Sequence, residues 1–80
     1  MHETHLIRNI FRYLEGEEQR SSRRIKNVHV SISEFSGLTG EHFREHYKEA
    51  SRGTRWGSVA LEIRKVPYGP ELEITKIDFE

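Results

Sequence analysis

Eighty residues hold one domain at most, and a chain of that size buries only a modest share of its surface, which excludes a large enclosed catalytic cleft. Thirteen basic and thirteen acidic residues cancel, leaving no global field to recruit nucleic acid or an anionic membrane, and the lack of cysteine excludes disulfides, thiolate zinc sites and thiol redox chemistry. Apolar residues, at 34% against 32% charged, still provide one layer of core, while no apolar run nears a membrane span of roughly 20 residues and no secretory signal opens the chain, so the expected location is the cytoplasm.

Ile7, Ile10, Phe11 and Leu14 recur at i, i+3, i+4 and i+7, with Arg8, Arg12, Glu15 and Glu18 largely off that face. The pattern predicts an amphipathic helix over residues 4–20, capped by Thr4 and weakened toward its end by Gly16. The basic stretch Arg20, Arg23, Arg24 and Lys26 reads as a solvated helix end and linker. From Ile25 to Phe35 the period drops to two: Val28, Val30 and Ile32 alternate with His29, Ser31 and Ser33, as in a strand with one buried face, and His29 points away from the core. A turn follows at residues 36–40, with Thr39 or Gly40 capping a second helix over 40–51. That helix carries Phe43, Tyr47 and Ala50 on one face, is polar elsewhere, and stops at Arg52-Gly53.

Val59, Leu61 and Ile63 alternate with Ala60, Glu62 and Arg64 in a second strand. Leu72 and Ile74 open a third, in which Ile77 and Phe79 fall out of phase, so a bulge near Thr75-Lys76 or a second contact surface is expected. The strand-helix-strand segment favours a right-handed crossover and a parallel pair, and the tight Pro67-Tyr68-Gly69-Pro70 connection predicts an antiparallel hairpin between the last two strands. The expected fold is a small α/β domain over residues 1–80, order α-β-α-β-β, with a three-stranded mixed sheet and two helices packed on one face.

No Gly-x-Ser-x-Gly turn and no phosphate-cradling glycine loop occur, so the residues do not point to an enzyme. The chemistry on offer belongs to histidine. His42 and His46, in the stretch EHFREH, sit four apart on the second helix, where their rings can chelate a metal; with Glu41 and Glu45 beside them, the same residues also read as a solvated surface. The start MHETHL offers more. An α-amine, the amide nitrogens that follow it once deprotonated, and the His2 imidazole can lie in one plane around a small divalent ion, and square-planar nitrogen coordination selects Ni(II) or Cu(II). Such binding strengthens as pH rises. The alternative is a polar approach to a helix, with Glu3 favourably near the positive end of its dipole.

Met1-His2-Glu3, the stretch from Ile32 to Leu38 (ISEFSGL), the Arg52-Gly53-Thr54 turn and the run from Ala60 to Pro67 (ALEIRKVP) together resemble the hydrogenase maturation nickel metallochaperones, the HypA/HybF family. The closing ELEITKIDFE, Glu71 to Glu80, is similar to that family's last strand. The resemblance implies a non-catalytic nickel-binding domain in which Ni(II) is held by the amine of Met1, the side chain of His2 and backbone nitrogens around His2 and Glu3. It also implies a maturation GTPase and a nickel-iron hydrogenase precursor, in some organisms urease, as partners; the chain itself is expected to be a monomer or weak homodimer. Two departures stand out. The family's zinc module with paired CxxC motifs follows the Val-Pro dipeptide, whereas here Val66-Pro67 passes through the short turn 67–70 straight into Glu71, so no zinc is expected. His5, at a position usually small in the family, is a further candidate ligand, and the second helix carries His42, Glu45 and His46 where apolar or small residues are frequent. The competing reading is a metal-independent adaptor that docks to a maturation GTPase or an enzyme precursor.

Overall fold

The first helix, α1, spans His2–Ser21 of a computed structural model that describes the backbone of residues 2–80 and the side chains from His5 onward. Ile7, Ile10 and Leu14 are buried and Phe11 packs beside them, as their spacing requires. The helix is longer than expected at both ends. Thr4 lies inside it and is not its cap, and Gly16 does not end it, because the packed apolar stripe outweighs a glycine cost of about 1 kcal/mol. It stops at Ser22, which takes a left-handed φ of 56°. Arg20, Arg23, Arg24 and Lys26 are all exposed, as expected of a solvated helix end; Arg20 pairs with Glu17, while Arg23 donates to the Glu80 carbonyl at 3.0 Å and lies 5.3 Å over the Phe79 ring.

The first strand, β1, covers Ile25–Ser33, two residues short of the expected Phe35. Ser33 ends it: its hydroxyl accepts from Phe35 N at 3.2 Å and its carbonyl from Ser36 N at 3.2 Å, which turns the chain and leaves Phe35 outside. At the other end Glu18 joins three elements. Its carboxylate accepts from Ile25 N at 2.7 Å and from the Arg55 guanidinium. Glu18→Ala would leave the buried Ile25 amide unpartnered and is expected to cost about 1–3 kcal/mol in urea denaturation, while Glu18→Gln, which retains the acceptor, costs less.

The second helix, α2, is Gly40–Ser51, with Thr39 as its cap: the Thr39 hydroxyl accepts from His42 N at 3.1 Å. Gly53 follows its end with a φ of 77°, the conformation that favours glycine there. A short 3-10 turn, Arg55–Ser58, comes next, a segment the residue pattern does not announce. It buries Trp56, which stacks on Phe11 at 6.3 Å, and Phe11 meets Tyr47 edge-on at 5.4 Å. The last strands are β2, Ala60–Val66, and β3, Leu72–Phe79.

The sheet order is β2-β1-β3, with β2 parallel and β3 antiparallel to β1. The expected parallel pair is present; the expected hairpin between the last two strands is not. The connection 67–71 instead passes over the end of β1, where Glu34 N donates to Val66 O at 2.8 Å and Ser33 N to Glu71 O at 3.3 Å. Two interstrand spacings, roughly 10 Å, lie well within reach of that segment. Gly69 eases the turn with a φ of 127°. In β3 the register skips Thr75 between Lys76, opposite His29, and Ile74, opposite Val30. That bulge lets Leu72 and Ile74 join Ile77 and Phe79 against the same core despite their phase. Val28, Val30 and Ile32 meet the apolar residues of α1 and α2 in one cluster, which places both helices on one face of the sheet.

Candidate metal centre

Because α1 starts at His2, the amide groups of its first turn have no intrahelical acceptor. Amide nitrogens in that position can give up their protons to a metal without breaking a helix hydrogen bond. Of the residues expected to hold nickel, Met1 and the side chains of His2 and Glu3 lie outside the described residues. His5 is exposed on α1. The structure brings His42 and His46 together on α2: both are exposed, and their rings are nearly parallel, 21° apart, with centroids separated by 6.2 Å. Among the described residues, no group of three or more His, Asp or Glu is arranged to hold a metal ion.

The open face of the sheet carries a polar cluster that residue spacing did not reveal. His29 points away from the helices, as expected, and its Nε2 lies 2.8 Å from Asp78 Oδ2 while its Nδ1 lies 3.9 Å from Glu62 Oε1. Asn27 Nδ2 donates to both carboxylates, at 2.9 Å to Glu62 and 3.1 Å to Asp78. Pairing of β1 with strands on both edges assembles this cluster, since Glu62 sits opposite His29 in β2 and Asp78 opposite Asn27 in β3. The hydrogen bond with His29, then that from Asn27, holds the Asp78 carboxyl below the usual range, with Lys76 helping at 3.6 Å.

The sign of the consequence follows. Asp78 ionises more readily folded than unfolded, so the unfolded chain binds the extra proton in acid and stability is lost as pH falls through and below about 4. Asp78→Asn is expected to flatten the acid limb of a Tm-against-pH curve, leaving a smaller loss between neutral pH and pH 3 than the parent shows. In the core, the Tyr47 hydroxyl is buried with no hydrogen-bond partner among the described residues, and burial pushes its pKa up to about 12. It therefore stays protonated under ordinary conditions and supplies no base.

No described helix is long and apolar enough to cross a membrane. The comparison with curated proteins returns no match. A family model described as "Hydrogenase/urease nickel incorporation, metallochaperone, hypA" matches residues 1–77, from the first residue into β3. That match covers nearly all of the sequence, and the chain belongs to the HypA family of metallochaperones for hydrogenase and urease nickel incorporation.

Proposed function

We propose that this chain carries one Ni(II) at its N-terminus, held in a plane by the Met1 amine, the His2 imidazole and backbone nitrogens of His2 and Glu3, and passes it to an enzyme precursor. The observation that carries this reading is the start of α1 at His2, which leaves the required amides without helix partners, in a chain whose family match begins at residue 1. Charge supports it as well. A bare divalent ion at the positive end of a helix dipole is disfavoured, but two deprotonated amides cancel the charge of Ni(II) and the bound amine is neutral. Binding then replaces a charged terminus with an uncharged complex and releases protons, so affinity rises with pH.

Nickel is cargo here. Ligands from adjacent positions of one chain end can leave one at a time, which suits transfer to a competing site in a partner. A maturation GTPase and a hydrogenase or urease precursor are the partners this reading calls for. We read residues 1–80 as the family's nickel-binding domain, with the turn 67–70 standing where the zinc module would be inserted; the sequence supplies no cysteine for such a module.

The test is a calorimetric nickel titration of protein beginning at Met1, beside the same protein with one residue added ahead of Met1. One tight site that disappears on extension is expected. Equal affinity in the two forms would refute the terminal site and leave the metal-independent adaptor as the better reading.

A further inference from the structure

We propose that His42 and His46 form a second, weaker site for a late first-row divalent ion on α2, beside the start of α1. The proposal takes from the nickel-carrier reading only the identity of the ion, since the geometry stands on its own residues.

Four observations support it. The two imidazoles share one side of a described helix, face each other across 6.2 Å, and are exposed, so small rotations of both side chains bring a nitrogen of each to the roughly 2.0–2.1 Å that metal–imidazole bonds require. Neither ring has a hydrogen-bond or ion-pair partner among the described residues, so chelation displaces only their mutual stacking. The charges of α2 are segregated. Arg44 turns toward β2, its guanidinium donating to Leu61 O at 3.1 Å, and Lys48 lines the same groove between α2 and β2. The histidine flank is left with Glu45, which favours a cation, and with Glu49, whose carboxylate is paired with the Arg52 guanidinium at 3.2 Å.

The fourth observation is position. His46 lines a shallow cleft of about 280 Å³ with Ile7, Glu49 and Ala50, and Ile7 lies one turn along α1 from Glu3. His46 therefore borders the helix whose first residues carry the proposed nickel terminus. Two imidazoles occupy two positions of an octahedral ion and leave the rest to water. That arrangement holds an ion loosely and admits new donors, as a loading or exchange point needs. Imidazole ligation implies an affinity order of Cu(II) above Ni(II) and Zn(II), with no selectivity for Ca(II) or Mg(II).

Two donors fixed on one helix face act as a chelate, because the second bond forms at an effective concentration in the millimolar range. Removing either imidazole should thus weaken binding by roughly 10-fold or more. The experiment uses the full chain with its terminus extended by one residue, nickel chloride as the probe, and two readouts: calorimetry, and broadening of amide resonances by paramagnetic octahedral Ni(II). The expected result is one weak site, with broadening centred on residues 42–50 and reaching Ile7, that is lost in both His42→Ala and His46→Ala. Weak binding that survives both substitutions, or broadening centred elsewhere, would overturn the proposal, as would no binding at all. The broadening is read on protein with both histidines intact, so the test holds even if a variant misfolds. Failure of the terminal site is separate: it appears as a tight site that persists after extension, whatever His42 and His46 do.

Discussion

His2→Ala is expected to lower nickel affinity by about 10²-fold or more in protein beginning at Met1, while leaving the thermal midpoint within about 2 °C. The size follows from chelation. Once the amine and an amide hold the ion, the imidazole of the next residue binds intramolecularly, and its loss removes that advantage in full. The small stability effect follows from where the core lies: among the described residues it begins at Leu6 and Ile7. His5→Ala, at an exposed position of α1, is expected to change nickel affinity far less, because the proposed planar set is complete without it. A His5 effect equal to that of His2 would mean that the imidazole at position 5 is a principal ligand.

The largest stability effect is expected at Phe43. It is fully buried at the centre of α2, beside Tyr47 at 6.1 Å, in the cluster where Leu14 of α1 meets Val28, Val30 and Ile32 of β1. Phe43→Ala removes those contacts and leaves a cavity, a change that costs about 3–5 kcal/mol. A domain of this length has about 4–12 kcal/mol in total, so the variant should melt roughly 15 °C or more below the parent and be partly unfolded in the warm. Phe35→Ala provides the contrast. Phe35 is 81% exposed, touching Tyr68 in the neighbouring turn at 6.2 Å, and its removal should shift stability by no more than about 0.5 kcal/mol in the same calorimetric scan.

The difference between these two phenylalanines shows what was legible in the chain. Phe43 belongs to an i, i+4 pattern with Tyr47 that marks a buried helix face, and the bounds of α2 follow from Thr39 and Gly53 on either side. The bulge in β3 was also readable, because Ile77 and Phe79 break phase with Leu72 and Ile74, and only one skipped residue returns both pairs to the same core. Phe35 continues the alphabet of β1 but not its hydrogen bonds, since Ser33 captures the backbone that follows.

Features set by register or by very short segments were not legible. The turn holding Trp56 has four residues, too few to show a period. The connection 67–71 has the length of a hairpin loop, yet it also suffices to step over one strand; β1 takes the central place by pairing on both its edges. The cluster of His29, Glu62 and Asp78 draws its members from three strands, and no spacing within any one of them reveals it. The proposed nickel site is the opposite case, since its donors are consecutive: the pattern is visible in three residues, and the family match supplies the context that three residues lack.

The most direct test of a terminal nickel site is the amide NMR spectrum of the protein beginning at Met1 with one equivalent of nickel. Planar four-nitrogen Ni(II) is diamagnetic, so the expected spectrum is sharp throughout, with shifts confined to the first turn of α1 and the amide signals of His2 and Glu3 lost through deprotonation. Broadening by paramagnetic nickel centred on α2, with the first turn of α1 unshifted, would contradict it.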